Sequence, residues 1–346
     1  MKENKEKAEL KGEEALEKVK KIIEIEGAEG WNLVREILLK QKARSPQLKE
    51  AIDYALQKPD YFRPAIVSLC SKAVGGSSEL TTPYGASLVM LAKAIGIHDD
   101  IIDKLKKRDK RFTLFGKFGK EIALIISDIL LFKGFTFMRK NYEIGVSQQK
   151  TARIFDTIEK FWFEQSESEI LELRSRRHVD VTPQECLAKI EMRASELEAT
   201  TRIGGILGDG SEEEVEALGR YGRFLGTASI LRDELIDILE PNVLRHRIRN
   251  ESLPLPLIYA MQQLKVRSKI TSQISKKRFT KKDLVIISKF SDEAGGIDKV
   301  AENINELVQK ACACIDLIVG ENNELKLLTT SLLIRPIEWK SMLQSM

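Results

Sequence analysis

The sequence predicts an all-α fold, and three features of its pattern support this class. Apolar residues recur at three- and four-residue spacing along nearly the whole chain, which is the period of an amphipathic helix. Runs of alternating β-branched residues, which indicate half-buried strands, are nearly absent. Prolines stand mainly at plausible helix starts, as Pro46 does after Ser45 and Pro183 after Thr182. We therefore expect long helices that the prolines separate rather than break.

The predicted helices cover most of the chain. A charged leading helix at 1–30 is rich in Glu and Lys and has neither the apolar run of a signal peptide nor the acid-poor character of a transit peptide. Further helices are expected near 80–106, 119–141, 149–176, 183–206 and 212–239, from about 254 onward, and at 281–290 and 296–318. Because 42% of the residues are hydrophobic and no Pro-, Gly- or Ser-rich stretch divides the chain, we expect one domain over 1–346.

Composition argues against several classes of partner. The 56 Lys and Arg residues nearly balance 52 Asp and Glu residues, so the sequence does not predict an electrostatic nucleic-acid surface. The longest apolar runs fall short of the roughly 20 residues that span a bilayer, and we expect a soluble, cytoplasmic protein without membrane insertion. The cysteines and histidines are not spaced for a disulfide framework or a zinc site. Any metal ion would then be held by oxygen ligands.

The first acidic motif lies inside an otherwise apolar helical segment. It reads Ile-His-Asp-Asp-Ile-Ile-Asp over 97–103. At about 100° per residue, Asp99, Asp100 and Asp103 fall within one arc of the helix. Burying unpaired carboxylates would be costly, so this arc is a candidate functional face.

A second acidic motif repeats this geometry. Asp233, Glu234 and Asp237 follow Arg232 in a segment that is also predicted to be helical. The two carboxylate arcs could face each other across a helical bundle. Carboxylate oxygens suit Mg²⁺, which typically shares its coordination shell with substrate phosphates. Either motif alone is also compatible with a solvated helix face, but the presence of both favours a metal–diphosphate site.

Metal ions and basic side chains stabilise a departing diphosphate, provided that the remaining cation is itself stabilised. An allylic cation meets that condition. The paired motifs therefore favour chemistry on an allylic diphosphate.

The sequence resembles the trans-isoprenyl diphosphate synthases, also called the polyprenyl synthetase family, from about Arg63 to Tyr259. The matching pieces, in order, are Arg63-Pro64, the 97–103 motif, Thr113, Gly116 and Gly119, Ser127-Asp128 in place of Gly-Asp, Arg193-Ala194 in place of Lys-Thr, the 233–237 motif, and Ser252-Leu253-Pro254 in place of Thr-Leu-Pro. Their order and spacing are hard to obtain by chance.

This resemblance implies an isoprenoid-synthase-type bundle of long helices around a central cavity, usually as a homodimer. It also implies three Mg²⁺ ions held between the two motifs and an allylic prenyl diphosphate. The implied metal ligands are Asp99, Asp100, Asp103, Asp233 and Asp237, with Glu234 in place of the usual second aspartate. The implied substrate-binding residues are Arg63, Arg108 and Arg193, together with His98, which beside the first motif fits an orienting hydrogen-bond partner.

The second substrate site of the family departs from its pattern in this chain. Where the family holds isopentenyl diphosphate with a Lys, a His and an Arg, this chain has Asp60, Ala92 and Asp109, and only Arg63 remains. Two acidic residues beside a polyanion should weaken its binding strongly. Lys93 interrupts an apolar helical segment and either compensates for this loss or extends its amine to solvent.

Other departures concern the grip on the allylic substrate and the size of the cavity. The family's Gln and Lys near the second motif are Ile230 and Asn250 here. The cluster Arg245, Arg247 and Arg249 could replace the missing charge, although such clusters are often surface loops. Ala94 and Ile95 stand where bulky residues stop the growing chain in the family, so a long prenyl tail could fit.

Three functions are compatible with these residues. The first is a prenyltransferase that passes the chain of an allylic diphosphate to isopentenyl diphosphate or to another nucleophile. The second is a lyase like the terpene synthases, which cyclises, deprotonates or hydrates the allylic cation without a second diphosphate. The third is a non-catalytic regulatory subunit, which predicts loss of the aspartates and is therefore the weakest of the three.

Overall fold

A computed structural model describes residues 2–108, 110–138, 145–276, 278–320 and 322–331. These residues form helices joined by short connections, together with one hairpin whose two strands have two residues each. This confirms the all-α prediction. Two compact units are distinguished among the described residues: the first comprises those up to Ile158 with Thr200–Leu218 and Ile315–Ser331, and the second comprises those in Glu159–Ala199 and Gly219–Cys314. The single domain over 1–346 stays a prediction.

The first unit begins with a long charged helix that extends past the predicted end at residue 30. Its helices are α1 (Lys2–Leu39), α2 (Pro46–Ala55), α3 (Phe62–Ala73), α4 (Thr81–Ile102), α5 (Leu114–Phe118), α6 (Lys120–Met138) and α16 (Asn323–Thr330). Strands β1 (Lys107–Arg108) and β2 (Arg111–Phe112) pair antiparallel between α4 and α5. The core lies where α1, α2, α4 and α6 pack together, and it includes Trp31, Ile52, Met90 and Ile126.

The second unit contains most of the remaining helices. They are α8 (Pro183–Arg193), α11 (Pro241–Asn250), α12 (Leu255–Ala260), α13 (Leu264–Ile274), α14 (Lys281–Glu293) and α15 (Gly296–Ile315). Helices α7 (Gln148–Ser175), α9 (Ser195–Leu207) and α10 (Glu212–Leu239) contribute residues to both units. Leu235, Leu255, Leu284 and Ile304 belong to the buried core of the second unit.

Two further predicted boundaries are wrong, and another lies outside the described residues. The helix expected over 80–106 ends at Ile102, and the one expected over 183–206 is interrupted at Ala194. Helices α11 and α13 were not predicted individually, because their segments combine many charges with short apolar repeats. The expected end of α6 at 141 falls within 139–144, which lies outside the described ranges. In the described ranges, every helix is too short or too polar to cross a bilayer.

Pro64 on α3 is a point of close helix packing. A Cβ atom added at Gly30 of α1 would lie 2.5 Å from the Pro64 side chain, and one added at Gly85 of α4 would lie 2.8 Å from the Pro64 Cα atom. Only glycine therefore lets α1 and α4 approach α3 this closely. The contact holds α3 at this point, next to Arg63 in the sequence.

Candidate active site

The first acidic motif forms the C-terminal end of α4. Asp99 and Asp100 lie in its last turn and Asp103 is the C-cap residue. The C-terminus of a helix carries partial negative charge, so carboxylates there reduce helix stability rather than add to it. The helix dipole therefore does not favour three aspartates at this place.

The helix ends in a Schellman motif that fixes the position of Asp103. The Leu105 N–H donates to the Asp100 carbonyl at 2.8 Å, and the Lys104 N–H donates to the Ile101 carbonyl at 3.2 Å. Lys104 adopts φ 56°, the left-handed conformation that usually favours glycine. Since no glycine is present, the sequence contained no signal for this helix end.

Arg108 reaches back to the motif from the hairpin that follows it. Its Nη2 atom donates to Asp100 Oδ1 at 3.0 Å, while the Arg108 side chain remains 61% exposed. Partial burial raises the pKa of Asp100, and the nearby Arg108 charge opposes that rise. Arg108 thus sits where a diphosphate oxygen could replace the Asp100 carboxylate. Asp109, the next residue, lies outside the described ranges.

His98 of α4 contacts Ser127 on the neighbouring helix α6. The Ser127 Oγ atom lies 2.8 Å from His98 Nε2 and donates to the Ala94 carbonyl at 3.0 Å. Ser127 is fully buried, so this contact lies inside the packed interface between α4 and α6. The arrangement supports the orienting role expected for His98. Ser127 was not among the predicted site residues.

The second acidic motif lies near the end of α10. Asp233 is exposed, whereas Asp237 is 24% exposed. Partial desolvation, followed by the charge of Asp237, raises the pKa of Asp233, while Arg232 and Arg193 act to lower it. Arg193 at the end of α8 therefore lies within electrostatic reach of Asp233, in keeping with its predicted role on an anionic substrate.

Glu234 is buried between two donors. Its Oε1 atom accepts from Arg247 Nη2 at 2.7 Å, and its Oε2 atom accepts from the Leu255 N–H at 2.7 Å. Both oxygens are thus engaged within the protein. Metal ligation by Glu234 stays a prediction, and this geometry argues against it.

Arg247 joins this motif to a deeper polar network, and its burial on α11 excludes the surface-loop alternative for this residue. It lies on α11 with only 8% of its surface exposed, and its Nη1 atom contacts Asp237 Oδ2 at 2.6 Å. Burial opposes its charge, but the surrounding carboxylates, Glu234 first, hold the pKa of Arg247 above its usual value. The buried position could not be read from the sequence, because Arg245, Arg247 and Arg249 form a uniform charged pattern.

Behind Arg247 lies a buried ion pair between α7 and α8. Glu172 pairs with Lys189 and accepts from the Ser252 N–H at 2.6 Å. Burial alone would raise the pKa of Glu172, but Lys189, Arg247 and the Ser252 N–H together lower it to about 2. Arg247 Nε donates to the Ser252 carbonyl at 3.4 Å, which connects the two parts. The loop before α12 is thereby attached to the second acidic motif.

Arg63 does not stand alone where the second substrate site was expected. Its Nη1 atom lies 2.5 Å from Asp60 Oδ2, and the two side chains are 26% and 14% exposed. Lys93 donates to the carbonyls of Lys58 and Ala55 at 3.0 and 3.3 Å. Burial, opposed by Asp60, lowers the pKa of Lys93 to about 8. The retained arginine is therefore paired with the acidic residue that replaces the family's lysine.

Neither motif gathers a closed metal cage. Among the described residues, no group of three or more His, Cys, Asp or Glu side chains is placed to hold a metal ion by itself. Mg²⁺ usually binds one or two protein carboxylates, keeps several waters and shares substrate phosphates. The oxygen-only donors present fit that form of coordination. The motifs belong to different units, so their facing each other stays a prediction.

An all-α chain with two aspartate clusters carried on helices has the features of the isoprenoid synthase class. Within that class, the chain belongs to the polyprenyl synthetase family, whose profile matches residues 45–288. This result confirms the resemblance seen in the sequence.

Individual relatives agree with this assignment. The chain is 28% identical over 193 residues to a geranylgeranyl diphosphate synthase of Methanosarcina mazei. The match covers 56% of this chain and 59% of the length of that relative. It is 26% identical over 285 residues to a prenyl transferase of Cyanophora paradoxa, covering 79% of this chain and 84% of that one. The structure of a geranylgeranyl pyrophosphate synthetase from Pyrococcus horikoshii superposes on this chain with a TM-score of 0.83 at 22% identity. The superposition covers 92% of this chain and 99% of that one, which shows that the two share a fold.

Proposed function

We propose that this chain is a Mg²⁺-dependent prenyltransferase that ionises an allylic prenyl diphosphate and transfers the prenyl chain to an acceptor. The observation that carries the proposal is the placement of Asp99, Asp100 and Asp103 at the C-terminus of α4, where the helix dipole disfavours carboxylates and bound cations would offset that cost. Membership of the polyprenyl synthetase family supports the same chemistry.

The residues of both motifs have distinct roles in this proposal. Asp99, Asp100 and Asp103 would hold Mg²⁺ from one side, and Asp233 with Asp237 from the other, with three ions in total. Bound Mg²⁺ would neutralise charge on the departing diphosphate. Two arginines, Arg108 and Arg193, would bind the diphosphate oxygens with paired N–H groups.

A direct test follows the departing diphosphate. Purified protein is incubated with Mg²⁺ and farnesyl or geranylgeranyl diphosphate, with and without isopentenyl diphosphate, and products are identified by mass spectrometry. Asp99→Ala should lower diphosphate release by at least about 100-fold, the order expected when electrostatic stabilisation is lost. Asp53→Ala, at an exposed position of α2, is the matched control. Equal turnover by both variants would contradict the proposal.

The acceptor is the finer part of the proposal. Because Asp60 pairs with Arg63, the charge available to a second diphosphate is reduced, which favours an acceptor other than isopentenyl diphosphate. The same ion pair favours the second candidate, a lyase that needs no acceptor diphosphate. Terpene or alcohol products formed without isopentenyl diphosphate would select the lyase, and elongated diphosphates would select ordinary chain transfer.

Restoring a lysine at position 60 tests this argument. Asp60→Lys removes the carboxylate that pairs with Arg63 and adds a cation, so the KM for isopentenyl diphosphate should fall about tenfold or more. Asp53→Lys makes the same charge change at an exposed site of α2 and should leave that KM unchanged. If both variants behave alike, Asp60 does not limit acceptor binding.

The remaining part of the proposal is that the protein forms a homodimer and is located in the cytoplasm. Ile125 and Phe132 are 55% and 69% exposed and lie two turns apart on one face of α6, which supports a covered apolar surface. Phe132→Glu should shift the protein toward monomer in analytical ultracentrifugation. An unchanged mass would remove α6 from the proposed interface.

A further inference from the structure

Three segments of the second unit concentrate positive charge. Residues 174–180, 245–251 and 265–283 together hold 14 Lys and Arg residues but only three acidic residues. The whole chain has 56 basic and 52 acidic residues, so everything outside these segments is net negative. The charge is thus strongly polarised although the overall balance is close to neutral.

Contacts between the segments join them into one surface. Arg177 Nε donates to the Arg249 carbonyl at 2.8 Å, and the Arg249 guanidinium lies 5.4 Å from the centre of the Phe279 ring. Arg267 Nη2 donates to the Val179 carbonyl at 3.4 Å. The end of α7, helix α11 and the α13–α14 connection are therefore neighbours. We call this surface the basic face and define it by Arg177, Arg249, Arg267, Arg278, Lys281 and Lys282.

Fold stability does not account for all of this charge, and the lysines at the start of α14 show this most clearly. Arg177, Arg249 and Arg278 are exposed. Lys281 and Lys282 are also exposed and occupy the first turn of α14, where the helix dipole disfavours cations. Thr280 and Asp283 already form a capping box at that helix start. The two lysines reduce helix stability at a place where acidic residues would increase it, which points to an anionic partner.

An exposed leucine beside the basic face favours a membrane over a nucleic acid as the anionic partner. Leu264 is 79% exposed and lies one turn before Arg267 on α13, so the two side chains are neighbours. Single-stranded nucleic acids usually stack on exposed aromatic rings, but Phe279 in the basic face is only 9% exposed. A cation cluster beside an exposed leucine suits a charged lipid surface, into which the leucine can insert.

We propose that the basic face docks this protein on membranes that carry anionic lipids. Lys and Arg side chains would lie against the lipid headgroups and Leu264 would enter the interfacial layer. Such binding is peripheral and needs no membrane-spanning helix. Clusters of four to eight basic residues are the usual sequence feature of such binding.

Vesicle co-sedimentation tests the proposal. The protein is mixed with vesicles of phosphatidylcholine alone, or with vesicles in which about a third of the lipid is phosphatidylglycerol. We expect binding only to the anionic vesicles. Each basic residue contributes about fivefold at such a surface, so Lys281→Glu with Lys282→Glu should weaken binding at least about 25-fold. Lys20→Glu with Lys21→Glu, an exposed lysine pair on α1, is the matched control and should bind like the wild type.

A second variant addresses the source of the affinity. Leu264→Ser should weaken vesicle binding by about tenfold while leaving binding to heparin, a soluble polyanion, unchanged. Thermal melting confirms that each variant is folded, and acidic residues in the first turn of α14 should not destabilise it.

Three outcomes would overturn the proposal. They are no binding of the wild type to anionic vesicles, equal loss in the face variant and the control variant, and tighter binding to a single-stranded polynucleotide than to the vesicles. The assay contains no prenyl substrate, so its result is independent of the proposed activity.

Discussion

The two acidic motifs differ in what holds their carboxylates. At the end of α4, the aspartates follow one another around a helix terminus, and the ion pair to Asp100 comes from the largely exposed Arg108. At the end of α10, Glu234 and Asp237 both contact the buried Arg247. The first motif resembles a surface prepared for an external cation, whereas the second already contains an internal one.

This difference suits the first motif to binding a ligand and the second to stabilising the fold as well. The exposed Arg108 guanidinium costs little to rearrange, because water compensates when it leaves Asp100. Charges around a buried guanidinium are costly to separate, because each loses its partner in a medium of low polarity. We therefore expect substitutions in the first motif to affect chemistry and those around Arg247 to affect folding as well.

Removing Arg247 should produce the largest effect. Arg247→Met leaves Glu234 and Asp237 without their cation, and the free energy of unfolding should fall by roughly 3–5 kcal/mol. The matched control in the first motif is Arg108→Met, which should change it by less than about 1 kcal/mol because that side chain is exposed. Urea unfolding followed by circular dichroism measures both. Equal losses would remove the distinction between the motifs, and Arg247→Met with Glu234→Met should recover part of the loss.

Acid should weaken the second region through Glu172. The folded pKa of Glu172 is about 2, below its usual 4.5, so its carboxylate stabilises the fold fully above pH 4.5 and this contribution is lost as the pH falls toward 2. The loss is about 3 kcal/mol, and Glu172→Gln should abolish this pH dependence.

Asp100 in the first motif has a raised pKa, so its contribution has the opposite sign. Relative to Asp100→Asn, the wild type should gain stability as the pH falls. Urea midpoints measured across the same pH range test both signs. Parallel pH profiles for the two variants would contradict the comparison.

The smallest effect is expected at the helix end of the first motif. Lys104 has φ 56°, so Lys104→Gly should relieve backbone strain and raise the free energy of unfolding by about 1 kcal/mol. Lys106→Gly is the nearby control and should give no gain, because its φ is not positive. Thermal melting distinguishes them, and equal shifts would show that loss of charge, not backbone conformation, is responsible.

The sequence predicted the helical class and the two motifs because both depend on local period and composition. Asp99 and Asp103 share an arc in any helix, and this does not require knowledge of the packing. The end of α4 could not be predicted, because a lysine occupies the position where glycine usually marks a helix end. The break at Ala194 also had no local signal, since neither glycine nor proline stands there.

Long-range pairing limited the prediction of the site. Asp60 was expected to weaken a diphosphate site from its charge alone, but its direct contact with Arg63 depends on the turn that opens α3. Glu234 keeps the charge of the aspartate it replaces, yet its burial against Arg247 and Leu255 depends on the fold around residues 247–255. Charge type can be read from a sequence, while the partner of a buried charge cannot.

The contact between Ser127 and His98 determines which imidazole nitrogen carries the hydrogen atom. A serine hydroxyl has a single proton, and Ser127 gives it to the Ala94 carbonyl. When Ser127 donates to Ala94, its lone pairs can only accept, and the neutral imidazole of His98 is then the Nε2–H tautomer with an unprotonated Nδ1. Nδ1 in that form cannot donate to a diphosphate oxygen. In this tautomer His98 connects α4 to α6 through Nε2 and does not donate to a substrate oxygen through Nδ1.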